Sequence, residues 1–144
     1  MKRAILLLTV LAAAACHHHA PTGAEAPDEA VLFARAAFEK LSAGDPAAAA
    51  SIDWEALRGR TLDVGSVYRA LGDDKERADF RAAFLANFAG TLREQGVASA
   101  DYTGWRAEKK STDAEVVTAA SPKGSVHLTV AVRATGMKLV AIGP

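Results

Sequence analysis

The residues with the most chemical potential stand together near the start of the chain, where Cys16 directly precedes His17, His18 and His19. Thiolate and imidazole groups are ligands that zinc and other borderline metals prefer, so this run could capture a metal. Fixed metal sites also need surrounding groups that orient each ligand, and the neighbouring Ala and Pro residues supply none. The alternative is a polar spacer, which we favour. We expect no metal and no cofactor.

Motifs for catalysis are absent from the rest of the sequence. It contains no H-E-x-x-H, G-x-S-x-G or C-x-x-C motif and no phosphate-binding glycine loop. His127 alternates with Ser125 and Thr129 at the two-residue spacing of one strand face, which puts it about 7 Å from each. That distance is too long for a direct hydrogen bond, so a half-exposed strand histidine is the ordinary interpretation. We expect the protein not to be an enzyme.

Composition limits the classes of protein and of partner. The chain has 144 residues, half of them apolar, which fits one globular domain with a core of its own. Its 17 basic and 17 acidic side chains cancel, and no segment concentrates Lys or Arg. Since a nucleic-acid partner requires such a basic surface, we expect no nucleic acid to bind.

The first residues predict export from the cytoplasm. Met1, Lys2 and Arg3 give a positive start, and the almost wholly apolar residues 4–15 follow it. This layout is typical of a secretory signal peptide, and the apolar run is too short for a membrane-spanning helix of about 20 residues. We therefore assign residues 1–15 to a signal peptide.

The junction AAAC, which ends at Cys16, resembles the lipobox of bacterial lipoproteins. The resemblance implies that Cys16 is acylated and becomes the new N-terminus, tethering the protein to a membrane. His17 stands where an Asp would retain the protein, which is similar to lipoproteins sent to the outer membrane and facing the periplasm. Ordinary cleavage after an A-x-A site is the alternative. Residues 16–27 would form a lipidated, flexible linker before a domain over residues 28–144.

Helical periodicity dominates the first part of this domain. Apolar residues recur at spacings of three and four over residues 28–41, which predicts a helix that Gly44 closes. Asp45 followed by Pro46 predicts a second, short helix through residues 47–50. One helical turn is expected at residues 66–71.

The longest predicted helix covers residues 73–95. Asp73 and Glu76 match a capping box at its start, and Gly96 ends it. Three phenylalanines recur on it at every fourth residue: Phe80, Phe84 and Phe88.

After Gly96 the apolar period changes to two, which predicts strands. The alternation is clearest over residues 125–133, where Val126, Leu128, Val130 and Val132 share one face. The other predicted strands cover residues 100–109, 114–120 and 137–142.

Helices followed by an antiparallel meander predict an α+β fold, with N-terminal helices packed on a four-stranded sheet. An antiparallel sheet with one apolar face needs a cover, and we expect the phenylalanine helix to provide it.

This order of elements, with the stretches FEKLSAGDPAAA and GMKLVAIG, resembles the nuclear transport factor 2-like superfamily over residues 28–142. The resemblance implies a curved sheet that wraps around helices as a cone with a cavity. The stretches IDWEALRGRTLD and ERADFRAAFLANFAGTL are similar to periplasmic phospholipid shuttles of the Mla and toluene-tolerance type. Superfamily members that act on steroid-like rings use an Asp or His with a Tyr. Residues of these types here are Asp53, Tyr68, Asp101, Tyr102 and His127.

Two functions follow from these patterns. In the first, the domain binds a lipid or another apolar molecule in a helix–sheet cavity. The expected lining residues are Phe80, Phe84, Phe88, Tyr102, Trp105, Leu128 and Val130. In the second, the core is filled by its own side chains, Tyr102 and Trp105 cap it, and the domain contacts other envelope proteins. A ketosteroid-isomerase-like enzyme is a third alternative. The first function requires an apolar cavity of about 300 Å³ or more.

Overall fold

The computed structural model describes residues 28–109 and 111–144. The predicted signal peptide, Cys16 and the linker up to residue 27 lie outside the described residues. Within the described part, no helix has the length and apolar character needed to cross a membrane.

Helix α1 spans Glu29–Ala43, close to the predicted bounds. The Asp28 carboxylate accepts a hydrogen bond from the Ala30 backbone N–H at 2.9 Å, which satisfies one free donor of the first turn. Gly44 adopts φ 68°, the left-handed conformation that ends many helices and that glycine enters without a Cβ clash. The capping residues therefore set both ends of α1.

The predicted second helix is a short 3₁₀ helix over Pro46–Ser51. It stops before Leu57 because Ile52 is extended and bridges a strand of the sheet, after which residues 54–56 form a turn. Ile52 bridges Leu139 and Arg58 bridges Ala141, both in parallel.

Two further α-helices follow. Helix α2 spans Val64–Arg69 and helix α3 spans Asp74–Glu94. The Asp73 carboxylate accepts from the Glu76 N–H at 2.8 Å. The Glu76 carboxylate accepts from the Gly72 N–H and not from that of Asp73, so the predicted capping box is formed only in part.

The sheet has four antiparallel strands in the order β1-β2-β3-β4 and is not closed into a barrel. The α+β fold is thus confirmed. The strands are β1 Thr103–Lys109, β2 Ala114–Ser121, β3 Gly124–Arg133 and β4 Gly136–Gly143. Strand β1 begins later than predicted because Ser99–Asp101 form a 3₁₀ turn.

Two β-bulges interrupt the pairing. One lies in β1 between Thr103 and Arg106, where Gly104 has φ 67°, and the other lies opposite Thr129 and Val130, at Val140 of β4. A bulge adds one residue to a single strand, so it bends that strand and increases the local twist.

Helix α1, and not the phenylalanine helix α3, lies against all four strands. Helix α3 packs mainly on α1 and on the 3₁₀ helix Pro46–Ser51. Three alanines of α1 are almost fully buried, which lets this helix approach the sheet closely: Ala30, Ala34 and Ala37. The expected cover of the sheet by α3 is therefore wrong.

Aromatic contacts link the layers. The Phe38 ring of α1 lies 4.9 Å from that of Tyr102, 5.6 Å from that of Trp105 and 6.2 Å from that of Phe88, centroid to centroid. Phe88 stacks on Phe84 at 6.5 Å, and Phe84 meets Trp54 at 5.4 Å. Trp54 in turn contacts two more rings, those of Tyr68 and Phe80. We call these eight connected side chains the aromatic spine.

The apolar face of β3 is only partly covered. Val126, Leu128 and Val130 are buried as predicted, but Val132 is 63% exposed. Val132 lines an open cleft beside Asp28 and Glu29, where α1 begins, so no helical turn covers it.

We expect Phe38→Ala to lower the free energy of unfolding by about 3–5 kcal/mol, because the Phe38 side chain is 0% exposed and joins α1, α3 and β1. Urea titration of the full chain, followed by circular dichroism, measures this loss. Leu32→Ala on the same helix is the control. Leu32 is 52% exposed, so its truncation should cost less than about 1 kcal/mol. Equal losses would contradict the central position of Phe38.

Candidate functional site

The space between α1 and the sheet is filled by side chains. Five large side chains are each 0% exposed and belong to one contiguous cluster: Phe38, Leu41, Val117, Leu128 and Leu139. Leu128, expected to line a cavity, is therefore part of the packed core. Val130, 3% exposed, belongs to the same cluster and also borders the cleft at the start of α1.

Phe80 and Phe84 lie on the side of α3 that meets Trp54 and Tyr68. The Phe80 ring centroid is 6.4 Å from that of Trp54 and 5.9 Å from that of Tyr68. Both phenylalanines are partly buried against the core. These two predicted site residues therefore lie at the contact between α3 and α2.

Phe88 and Tyr102 come together in a groove of about 280 Å³, which we call the apolar groove. It lies between the second half of α3 and the end of the sheet where β3 begins and β4 ends. Apolar side chains form most of its surface: Phe38, Phe88, Leu92, Tyr102, Val126 and Ile142. The groove is open at the surface, and its rim carries three polar residues: Thr91, Gln95 and Ser125.

Packing fixes the floor of the apolar groove. Phe38 is held edge-on by Phe88 and Tyr102, and edge-to-face contact between rings is the favoured geometry. The Trp105 Nε1–H donates to the Tyr102 carbonyl at 3.1 Å, which anchors the turn before β1. A ligand would therefore meet an apolar surface that is already ordered.

Trp105 faces a different space. Together with Tyr102 it borders a cleft of about 190 Å³ whose other walls include Arg35 and Glu39 of α1. Arg35 and Glu39 form an exposed ion pair, with 3.2 Å between Nε and Oε1. Trp105 therefore covers one side of the core, and only part of its ring is exposed in this small, polar cleft.

A larger cleft of about 480 Å³, which we call the polar cleft, carries charged side chains among apolar ones. Asp53 and Arg133 line it and form an ion pair of 2.8 Å between Oδ2 and Nε. Trp54 and Tyr68 form its aromatic wall, but both are buried and their polar atoms are engaged elsewhere. Trp54 Nε1–H donates to the Ala49 carbonyl, and the Tyr68 hydroxyl accepts from Arg81.

Groups for catalysis or metal binding are scattered in the described part of the chain. Asp53 and Tyr68 share the polar cleft, yet Asp53 is paired with Arg133. His127 is exposed on the sheet face turned away from α1. Across residues 28–109 and 111–144, no three His, Cys, Asp or Glu residues are grouped as a metal site would need. Cys16 and the three adjacent histidines lie outside these ranges.

Several groove residues were not predicted as site residues. Leu92 continues the four-residue spacing of Phe88 along α3, so this signal could have identified it. Phe38 shows the same periodicity on α1, but there the pattern predicts only an ordinary core position. Ile142 reaches the groove only through the register of β4, which the bulge at Val140 changes.

Comparison of the chain with protein-family models, with curated proteins and with solved structures gives no match. The resemblances to the nuclear transport factor 2-like superfamily and to the phospholipid shuttles therefore stay predictions.

Gly65 sets how closely α2 approaches Glu55, which lines the polar cleft and also a second cleft of about 370 Å³ beside Arg58 and Arg69. The Gly65 N–H donates to the Leu57 carbonyl at 2.8 Å, and a Cβ at position 65 would overlap the Glu55 carbonyl oxygen. Only glycine permits this approach.

We expect Gly65→Ala to lower the free energy of unfolding by about 1–3 kcal/mol, since the backbone must separate to admit one methyl group. Gly90→Ala is the matched control. A Cβ at position 90 of α3 meets nothing within 4 Å, and alanine favours a helix over glycine by about 0.5–1 kcal/mol. Thermal unfolding should therefore shift in opposite directions for the two variants. A shift in the same direction would show that the contact at Gly65 is not tight.

Proposed function

We propose that this chain is an envelope lipoprotein whose folded domain binds an apolar ligand, such as a lipid acyl chain, in the apolar groove. The observation that carries the proposal is the groove itself. Its ordered apolar walls face an open space of about 280 Å³, which is smaller than the cavity of about 300 Å³ expected from the sequence and suits only part of a ligand. The ligand would lie at the side of the core and not inside it.

The size of the groove suits a short apolar segment. Each buried methylene contributes about 0.8 kcal/mol, so five of them supply about 4 kcal/mol, which corresponds to a dissociation constant near the millimolar range. The polar rim of Thr91, Gln95 and Ser125 would leave a headgroup in water. Such weak, partial capture fits a protein that handles lipid reversibly.

Curvature of the sheet is part of the proposal. The bulges at Gly104 and Val140 would bend β1 and β4, the two outer strands of the meander. A sheet curved in this way would lift its end away from α3 and leave room for the groove. The cone shape of the superfamily would be one form of this curvature.

The tether is the second part of the proposal. The short signal and the AAAC junction support acylation of Cys16, and two or more acyl chains anchor a protein stably. The linker of residues 16–27 would leave the domain close to the membrane. We assign it to the periplasmic side of the outer membrane on the basis of His17.

A filled core supports a second candidate function. Complete burial of Phe38, Leu41 and Leu128 leaves no space between α1 and the sheet for a guest. In that case the domain would act as an interaction module for other envelope proteins, and the apolar groove would be an unoccupied irregularity of its surface.

Thr91→Trp tests the groove. Thr91 is exposed on the groove side of α3, so a tryptophan there would occupy the opening and should weaken binding of a fluorescent fatty-acid probe at least about tenfold. Ala86→Trp places the same side chain at another exposed position of α3 that does not line the groove, and should leave binding unchanged. Fluorescence titration of chains that also carry Cys16→Ala, and so need no detergent, measures both, because detergent micelles would take up the probe and compete with the groove. Absence of probe binding by the unsubstituted chain would favour the second candidate.

Cys16→Ala tests the tether. Loss of the thiol prevents acylation, so the protein should move from the membrane to the soluble fraction when cells are fractionated. Ser42→Ala, at a position within the folded domain, should leave the distribution unchanged. Membrane association that survives Cys16→Ala would refute the lipid anchor.

A further inference from the structure

The two edges of the sheet differ in their protection. The outer edge of β4 is covered by the segment that follows the 3₁₀ helix: Asp53 N–H donates to the Leu139 carbonyl at 3.0 Å, and Arg58 N–H to that of Val140 at 2.9 Å. Strand β1 pairs with β2 on its inner side. On its outer side, no backbone group of the described residues pairs with it.

An exposed edge strand is a template for pairing with another chain, and its charges decide which chain fits. Arg106 and Glu108 are 67% and 60% exposed, and their side chains approach to 3.6 Å between Nε and Oε1. Both lie on the sheet face turned away from α1. Ala107 stands between them and contributes to the core on the other face.

We propose that β1 pairs antiparallel with β1 of a second copy of this chain, around a two-fold axis at Ala107. In this register Arg106 lies directly opposite Glu108 of the other copy, and the symmetry repeats the pair. Opposite charges that face each other across an antiparallel pair stabilise it, and like charges destabilise it.

The charge pattern selects this register over its neighbours. A two-fold axis at position 106 would place two arginines opposite each other, and an axis at position 108 would place two glutamates opposite each other. A shift by one residue would place the axis between two residues. Core-facing side chains of one copy would then lie opposite solvent-facing side chains of the other, which the buried face of each sheet does not allow.

Such pairing produces a closed dimer. A two-fold axis perpendicular to the sheet joins two four-stranded sheets into one, with both α1 helices on the same face. The outer edges of the joined sheet are then the two β4 strands, which the segment around Asp53 and Arg58 already covers. Assembly therefore stops at two copies and does not continue into a fibre.

Charge reversal tests the proposal in the full chain, extracted in detergent and studied by sedimentation velocity over a range of concentrations. The unsubstituted chain should form a dimer. Arg106→Glu and Glu108→Arg each turn both cross-strand pairs into like-charge pairs and should weaken the dimer about tenfold or more. The double variant R106E/E108R restores opposite charges and should restore the dimer. A monomeric unsubstituted chain, or a double variant no better than either single one, overturns the proposal.

Cysteine cross-linking tests the register independently of charge. Directly opposed residues lie about 4.5–5.5 Å apart between Cα atoms, within the reach of a disulfide, so Ala107→Cys should yield a cross-linked dimer under mild oxidation. Thr103→Cys is the control on the same strand, because it is exposed and changes no charge. Its two copies would lie more than about 20 Å apart, from an offset of eight residues, so it should not cross-link. The unsubstituted chain, whose only cysteine is Cys16, measures any cross-linking through that residue. Equal cross-linking at both positions, or none at Ala107→Cys in a variant whose circular dichroism is native, overturns the register.

Discussion

The aromatic spine is the interaction on which the rest of the structure depends. It runs from Tyr102 and Trp105 at the start of the sheet, through Phe38 of α1, to the rings that join α3 and α2. All three α-helices contribute rings to it, and Phe38 joins it to the rings at the start of the sheet. Because Cys16 is the only cysteine of the chain, no intrachain disulfide can assist. Packing of these rings must therefore supply much of the stability.

Small side chains decide where free space occurs. The alanines of α1 bring its backbone close to the sheet, so Phe38 and Leu41 fill the interior completely. Helix α3 then lies on α1, and its second half faces the end of the sheet where β3 begins and β4 ends. The apolar groove lies between them, where Phe88 of the spine reaches the surface. Free space at the side of the domain thus accompanies close packing at its centre.

Local signals predicted the local structure well. Asp28, Gly44, Asp73 and Gly96 marked helix ends because each acts on its own neighbours, and the strands followed from alternation along the chain. The sequence did not predict which helix covers the sheet. Both α1 and α3 carry an apolar stripe, and periodicity does not indicate which surface a stripe packs against. Of the expected site, Phe88 and Tyr102 share the groove. Leu128 does not line it, because a buried strand position and a cavity wall have the same pattern.

The position of the groove would couple any ligand bound there to the stability of the whole domain. The same Phe38 ring that fills the core also forms the floor of the groove, and Tyr102 leads directly into β1. A ligand that binds only the folded state stabilises it by mass action. In this protein that stabilisation would act at the junction of α1, α3 and the sheet, where loss of packing separates all three. An occupied groove would therefore also hold the start of β1, and with it the free edge of the sheet, in place.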